Sequence, residues 1–363
     1  MLKVLAYSLL MILGMILSQI IDLSPYHSFI HPITLTVLAY IMIEVGLEFT
    51  MDKSNLREYG KDYLIAMTAA TFPWIFCSLY FWFLFPVDAT SAAIIGRFAA
   101  PTSAGVLFTM LAAAGLAKTW VYKKARILAI FDDLDTVLMI IPLQMLHMGF
   151  NIQSVYLILI IIFLLILSYR YLHRVRIPSQ RPWLFLYAIL LTLFIELFEK
   201  RTLISLEIIL PAFALGCTLY NPRFEAQELT ALKKNRISTD DLVKYAYMFL
   251  VGSSLPQIGH GKSSWILIGM HVALITLLAN LGKIFPVFCY KQEASQRKRW
   301  ALSIAMWPRG EVGAGILLIS LKYGIPSVVV ELAQLSLALN LALTGLFIYW
   351  VIRILKPEPV NGH

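Results

Sequence analysis

Residues 99–105 read AAPTSAG and residues 306–313 read MWPRGEVG, and each stretch interrupts an otherwise apolar segment of the chain. Proline removes a backbone donor and glycine loosens a helix, so the two segments are expected to break at Pro101 and at Pro308. A lone proline in a membrane helix is more often a kink than a site. However, non-helical backbone at membrane depth survives only where protein buries it or a cavity wets it, so a paired break indicates a binding site.

The composition places these breaks in a membrane protein. Of 363 residues, 59% are hydrophobic and 14% are charged, against roughly 25% charged in soluble domains. Apolar runs of about 20 residues, long enough to cross a bilayer, recur along the whole chain. We predict an all-α polytopic protein, a single transmembrane unit over 1–363 with no room for a soluble catalytic or nucleic-acid-binding domain. About 12 spans are predicted, at 3–22, 31–50, 63–84, 89–114, 124–149, 153–171, 182–198, 202–220, 242–257, 264–289, 299–321 and 326–354.

The net charge of +9 is predicted to be an orientation signal and not a nucleic-acid footprint. Basic residues concentrate after the even-numbered spans, so the positive-inside rule predicts that both termini are cytoplasmic. The polar connection 221–240 is predicted to form an interfacial helix between two halves. Lys244 is expected to snorkel to the membrane surface. Arg97 lies within a span, and its partner is left open among Glu44, Glu196 and Glu207.

The two breaks occupy matching places in the chain. Spans three to five begin at the cytoplasm, spans ten to twelve begin outside, and each triplet carries its break in the middle member. Two three-helix units of opposite orientation with matching interrupted helices are the signature of an inverted-repeat secondary transporter. The site is then expected at the interface between the repeats.

Three acids lie within four residues of the fifth span: Asp132, Asp133 and Asp135. They cannot all be ionised there without a cation, so some must be protonated, ion-paired or bound to a metal ion. On a helix Asp132 and Asp133 point about 100° apart. Lys283 in the tenth span lies at a similar depth and is expected to neutralise Asp132. The alternatives are that the acids lie in a cytoplasmic loop and that Lys283 snorkels.

Polar residues at the breaks suggest two further roles. Arg309 and Glu311 are expected to neutralise the partial charges of the half-helix ends, a role we favour over direct cation binding for them. Thr102 and Ser103 could ligate a small hard cation beside a carboxylate, because such ions prefer oxygen ligands. Hydroxyls that only return a hydrogen bond to the preceding turn are an equally good interpretation.

Taken together, these residues resemble a known family. The paired aspartates Asp132-Asp133, Lys283, the breaks in spans four and eleven, and the stretch PRGEV at 308–312 are similar to the bacterial sodium/proton antiporters of the cation/proton antiporter superfamily. The stretch IEVGLEF at 43–49, followed by Leu56-Arg57, resembles the second-span region of that superfamily. The resemblance covers most of the chain and is of the paired-aspartate, electrogenic type.

The resemblance implies a division of labour. A six-helix core, formed by 63–149 and 264–354, would move against a dimerisation scaffold formed by 3–50 and 153–257. Asp133 would carry the cation or the proton, and Asp132 would pair with Lys283. Two departures stand out: Asp135 is an extra acid, and the fourth-span break, AAPTSAG, has no acid where many relatives place one.

The sequence therefore predicts a secondary antiporter, not an enzyme. It would exchange protons for a monovalent cation, most simply Na⁺ and also Li⁺, by alternating access, with Na⁺ bound at Asp133 and no cofactor. The expected setting is a homodimer in the lipid bilayer of a bacterial inner membrane. Potassium/proton exchange or a cation efflux system is the alternative, and an intramembrane aspartyl protease or a channel fits the pattern less well.

Overall fold

The computed structural model describes residues 2–21, 23–48, 56–103, 107, 111, 116, 119–139, 142–143, 152–202, 206–220, 239–254 and 265–355. Within these residues the fold is all-helical, with 13 α-helices and no β-strand. In chain order they are α1 (Leu2–Ile20), α2 (His27–Glu48), α3 (Leu56–Leu84), α4 (Ala89–Gly96), α5 (Trp120–Leu138), α6 (Ile152–Arg170), α7 (Arg181–Thr202), α8 (Ile209–Thr218), α9 (Thr239–Ser253), α10 (Trp265–Gly282), α11 (Gln296–Ala305), α12 (Glu311–Ser320) and α13 (Ser327–Leu355).

Five stretches of these helices are long and apolar enough to cross a bilayer: Phe29–Leu47, Tyr59–Leu84, Arg181–Arg201, Trp265–Phe288 and Ser327–Leu355. Shorter apolar helices accompany them in α1, α6, α8 and α9. The chain is thus a multi-pass membrane protein, as its composition predicts. The number of spans and the cytoplasmic termini stay predictions, and the interfacial helix predicted at 221–240 lies almost wholly outside the described residues.

Helical structure stops at both proline-containing stretches. Helix α4 ends at Gly96, a 3-10 turn follows at Arg97–Ala99, and residues 100–103 are not helical. Helix α11 ends at Ala305, and helix α12 begins only at Glu311. Each proline lacks the backbone N–H that would continue a helix. The polar residues of the two stretches are therefore carried on extended or turned backbone.

Helix packing brings the two stretches together. Helix α3 contacts α4, α5 and α10. Helix α13 contacts α10, α11 and α12. The 3-10 turn after α4 packs against α12. In a second set of helices, α1 lies along α9, and α2 lies along α8 and α7. Helices α2 and α9 touch α12, and α1 touches α13, so the second set of helices lies directly beside the second break.

A polar cluster holds the start of α3 to α5 and to the segment after α10. The carboxylate of Asp62, 2% exposed, accepts a hydrogen bond from the Tyr290 hydroxyl at 2.6 Å and pairs with Lys124 at 2.9 Å. Glu293 pairs with Lys61 at 2.6 Å and with Lys124 at 3.4 Å. Burial alone would raise the pKa of Glu293, but the two ammonium groups outweigh it and lower that pKa. Glu293 is therefore ionised at neutral pH.

Helices α2 and α8 approach closely at a pair of glycines. A Cβ atom on Gly46 would lie 2.3 Å from the carbonyl oxygen of Phe213, and one on Gly216 would lie 2.2 Å from that of Ile43. Real Cβ atoms do not come so near a backbone oxygen, so the two helices can adopt this distance only with glycine at both positions. Small residues at helix crossings serve this purpose widely in membrane proteins.

We expect Gly46→Ala to destabilise the protein, because the two backbones would have to separate. Such overpacking costs about 1–3 kcal/mol, measurable as a lower melting temperature of the detergent-purified protein. The matched control is Gly269→Ala in α10, where nothing lies within 4 Å of the added atom; there alanine should be neutral or stabilising by up to about 1 kcal/mol. A Gly46→Ala variant that melts at or above the unchanged protein would contradict this account of the crossing.

Candidate functional site

The two broken stretches are hydrogen-bonded directly to each other. The backbone N–H of Ser103 donates to the carbonyl of Pro308 at 2.8 Å, and the Thr102 hydroxyl oxygen lies 3.0 Å from the carbonyl oxygen of Met306. A Cβ atom on Gly310 would lie 2.6 Å from the hydroxyl oxygen of Ser103. Glycine at position 310 therefore permits the approach, and each break satisfies backbone groups that the other exposes.

Arg309 is buried, at 1% exposure, and its guanidinium gathers backbone carbonyls at the crossing. It donates to Ala99 at 2.8 Å, to Ala279 at 2.6 Å and to Trp307 at 3.0 Å. These carbonyls lie in the last turn of α10 and just beyond the ends of α4 and α11, so the guanidinium lies where helix ends concentrate negative partial charge.

Two asparagines that the sequence analysis did not single out hold Arg309 in place. The side-chain oxygen of Asn280 accepts from the guanidinium at 2.7 Å and from the Asn340 amide at 2.9 Å. The side-chain oxygen of Asn340 accepts from the backbone N–H of Arg309 at 2.9 Å. Asparagine in an apolar helix gives a weak signal of its own. Only the charge of Arg309 could have prompted a search for such partners.

Asp132 and Lys283 form a fully buried ion pair, with both side chains 0% exposed. The ammonium lies 2.5 Å from one carboxylate oxygen and also donates to the carbonyl of Ala100 in the first break. The Thr102 hydroxyl donates to the same carboxylate oxygen at 2.7 Å. Lys283 follows the last residue of α10 and is held there by the Ser303 hydroxyl, which donates to its carbonyl. The alternative that Lys283 snorkels to the surface is wrong.

Asp133 is one residue further along α5, so its side chain points about 100° away from that of Asp132. It is 1% exposed, and neither carboxylate oxygen accepts a hydrogen bond within the described part of the chain. Besides Asp132 and Lys283, the charges that act on it are those of Glu311 and Lys244. A buried carboxylate with no donor is costly, and such groups in membrane spans mark functional sites.

The extra acid, Asp135, is 3% exposed and lies near Tyr63, a residue of α3 that was not singled out from the sequence. The acids are part of the buried interior of α5, so the alternative of a cytoplasmic loop is wrong for them.

Glu311, the first residue of α12, lies beside the first break. One carboxylate oxygen accepts from the Ser103 hydroxyl at 2.9 Å, and the other accepts from the ammonium of Lys244 at 3.2 Å. The expectation that Lys244 snorkels to the membrane surface is therefore wrong. The buried carboxylate of Glu311, at 3% exposure, attracts the ammonium inward more strongly than the interface does. The sequence gives no direct signal for this pair because the two residues lie 67 positions apart.

Arg97 is paired with Glu207, one of the three glutamates that the sequence left as candidate partners. One guanidinium nitrogen lies 3.0 Å from each carboxylate oxygen, and the arginine side chain is 0% exposed. The Tyr323 hydroxyl approaches the same carboxylate at 3.4 Å. Beside this pair lies a cavity of about 180 Å³ between α2, α7 and α12.

Among the described residues, no group of three or more His, Cys, Asp or Glu side chains is arranged to hold a metal ion. Any cation at this crossing would instead be held by carboxylates together with hydroxyl and backbone oxygens. Such oxygen ligands suit hard monovalent ions.

Comparisons with known proteins agree with this architecture. Residues 1–354 match the family described as "Sodium/hydrogen exchanger, transmembrane". No curated protein matches the chain. Among solved structures, it is similar to the sodium proton antiporter MjNhaP1 from Methanocaldococcus jannaschii at pH 8, with a TM-score of 0.64, 16% identity, and 95% of this chain and 92% of that chain covered. An electron-microscopy structure of MjNhaP1 gives a TM-score of 0.57 at 18% identity, with 96% and 92% covered.

The buried ion pair makes a stability prediction. Lys283→Met leaves the carboxylate of Asp132 buried without a counter-ion, which should cost about 3–5 kcal/mol. The double variant Asp132→Asn/Lys283→Met removes both charges and should lose much less. Both effects can be read from melting temperatures of the purified protein.

Lys322→Met provides the control for this measurement. Lys322 pairs with Glu199 at 3.6 Å and is 40% exposed, so its loss should cost at most about 1 kcal/mol. If the single variant at Lys283 melted like this control, the pair would not support the crossing.

Proposed function

The chain belongs to the transmembrane sodium/hydrogen exchanger family, and from that membership we propose that it exchanges Na⁺ for protons by alternating access, with Asp133 binding the two ions in turn. Membership makes the protein a secondary cation/proton antiporter and not an enzyme. The choice of Na⁺, the role of each aspartate and the access mechanism belong to our proposal.

One observation carries the assignment of Asp133. Of the two adjacent aspartates, Asp132 is engaged by an ammonium and a hydroxyl, whereas Asp133 has no hydrogen-bond donor among the described residues. A carboxylate that exchanges two ligands must be able to bind and release each of them. A group already held by a buried lysine is poorly suited to that task, and a group with no other partner is well suited to it.

The surroundings of Asp133 support a small hard cation. Hydroxyl groups of Thr102 and Ser103 and carbonyl groups at the two breaks supply oxygen atoms near α5. Thr102 donates its proton to Asp132, and Ser103 donates its proton to Glu311. Each hydroxyl oxygen keeps its lone pairs, which can bind a cation. In our proposal Na⁺ binds the ionised Asp133 with help from such oxygens, and proton binding to the same carboxylate expels it.

Lys283 keeps a constant positive charge beside Asp132 in this scheme. While Asp132 and Lys283 stay paired, replacing Na⁺ by one proton on Asp133 moves no net charge. The electrogenic exchange that the resemblance implies therefore requires a second proton for each Na⁺, in addition to the one on Asp133. Asp135 is not needed for the exchange. We assign it a role in hydrating or shaping the approach to Asp133.

The access step follows from how the helices are grouped. We propose that 63–149 and 264–354 form the ion-translocating core, with α4 and α11–α12 as its broken crossing helices, and that 3–50 and 153–257 form the scaffold and the homodimer contact. The packing of α1 along α9 and of α2 along α8 supports a separate scaffold. The proposed setting is a bacterial inner membrane with both termini in the cytoplasm.

The decisive experiment uses Asp133→Asn in proteoliposomes. The variant keeps the shape of the side chain but removes the negative charge, so we expect a folded protein that releases no protons when Na⁺ is added. Asp135→Asn, on the same helix and also buried, is the matched control and should retain most of the activity. Normal Na⁺-driven proton release by purified Asp133→Asn would overturn the assignment.

Selectivity is tested in the same liposomes by supplying Na⁺, Li⁺ and K⁺ in turn under an imposed membrane potential. We expect Na⁺ and Li⁺ to drive proton movement and K⁺ to be ineffective, because a site built from carboxylate and hydroxyl oxygens favours the smaller, harder ions. Exchange driven by K⁺ but not by Na⁺ would identify a potassium/proton antiporter instead.

A further inference from the structure

The pair formed by Lys244 and Glu311 joins two parts of the molecule. Lys244 lies on α9, which packs mainly along α1, whereas Glu311 begins α12, which packs against the first break and α13. Their side chains are 18% and 4% exposed. Glu311 is therefore buried, whereas the side chain of Lys244 is partly exposed.

The same pair lies in the region of the two aspartates, because Ser103 donates to Glu311 and its neighbour Thr102 donates to Asp132. The charges of both residues act on the Asp133 carboxylate, and Ser103 links Glu311 to the break that carries Thr102. Besides the ion pair of Asp132 and Lys283, two carboxylates, those of Asp133 and Glu311, thus share this region with the ammonium of Lys244. Two like charges in a low-dielectric interior raise the free energy, and any cation that enters there lowers it.

A further polar group lies over this region. The Tyr247 hydroxyl is buried, at 0% exposure of the residue, and has no hydrogen-bond partner within the described ranges. It lies 3.0 Å from the position that a Cβ atom on Gly315 would occupy. Gly315 is four residues after Glu311 and shares its helix face, while Tyr247 is three residues after Lys244 and shares its face. The hydroxyl therefore lies over the face of α12 that carries Glu311.

Several oxygen atoms in this region are available to bind a cation. Within the described residues, Asp133 offers two carboxylate oxygens and Tyr247 one hydroxyl that no protein donor or acceptor engages. Glu311 has both oxygens engaged, one of them by the displaceable, partly exposed ammonium of Lys244. Oxygen atoms from carboxylates and hydroxyls are the ligands that hard cations prefer.

We infer that Glu311 is a second carboxylate of the cation site and that Lys244 is a tethered competitor, whose ammonium occupies Glu311 when the cation is absent and withdraws when the cation binds. This inference rests on the proposed function, since it takes Asp133 as the primary carboxylate. It differs from a helix-capping role for Glu311 because it assigns the residue a direct effect on cation affinity.

The test measures Na⁺ binding to the purified protein, by calorimetry and by the Na⁺-dependent rise in melting temperature, at alkaline pH where protons do not compete. Lys244→Met keeps the length of the side chain and removes the charge. Because the competitor is lost, we expect Na⁺ to bind about fivefold more tightly, the factor that corresponds to a partly exposed ion pair.

A second comparison separates Glu311 from Asp133. In the double variant Glu311→Gln/Lys244→Met, no competitor remains and no second carboxylate is available, so the gain in affinity should disappear. A gain that persists in the double variant would mean that Lys244 acts on Asp133 alone, and it would overturn the assignment of Glu311. Unchanged or weaker Na⁺ binding in Lys244→Met would overturn the competitor role.

The controls keep these outcomes distinct. Lys322→Met removes another lysine of an ion pair, that with Glu199, and should leave Na⁺ affinity unchanged. Lys244→Gln is the substitute if the methionine variant does not fold. Asp133→Asn must abolish Na⁺ binding if the proposed function holds. If it does so while Lys244→Met binds Na⁺ normally, only the inference about Lys244 and Glu311 fails.

Discussion

The structure depends on pairing two non-helical, proline-containing stretches with each other in an apolar medium. Backbone groups that a helix would have satisfied are satisfied across the crossing: the N–H of Ser103 by Pro308, and the carbonyl of Ala99 by Arg309. An unpaired backbone group in hydrocarbon costs several kcal/mol, so the breaks can exist only as a pair. Lys283, which donates to the carbonyl of Ala100 and pairs with Asp132, shows how this closure also brings charged side chains to the same place.

The crossing explains why two adjacent aspartates can have different tasks. Successive residues on α5 point about 100° apart, so one carboxylate faces Lys283 and Thr102, and the next faces the region of Glu311 and Lys244. A single carboxylate could not both neutralise a buried lysine and exchange ligands freely. If Asp133 is the exchanging carboxylate, as we propose, its place on the same helix as Asp132 keeps it at a constant distance from the ion pair of Asp132 and Lys283.

The sequence predicted the helical class, the places of the two breaks and the pairing of Lys283, because a charge or a proline in an apolar run is a strong local signal. It failed for Lys244, whose partner lies 67 positions away, since local hydropathy favours snorkelling and cannot register a distant buried carboxylate. It could not choose a partner for Arg97 for the same reason. Asn280 and Asn340 gave only a weak signal, because uncharged polar residues are common in helices and only the position of Arg309 makes these two necessary.

Two ion pairs join the proposed core to the proposed scaffold. Lys244 of α9 pairs with Glu311 of α12, and Arg97 in the turn after α4 pairs with Glu207, just before α8. Movement of the proposed core against the scaffold must change both, because each pair has one member on either side. A ligand can shift such an equilibrium only by binding one arrangement more tightly than the other. If the cation replaces Lys244 at Glu311, it releases the first pair at the moment it binds, whereas Arg97 and Glu207 stay joined. Cation binding would then remove one of two restraints, and the second would have to yield to the movement itself.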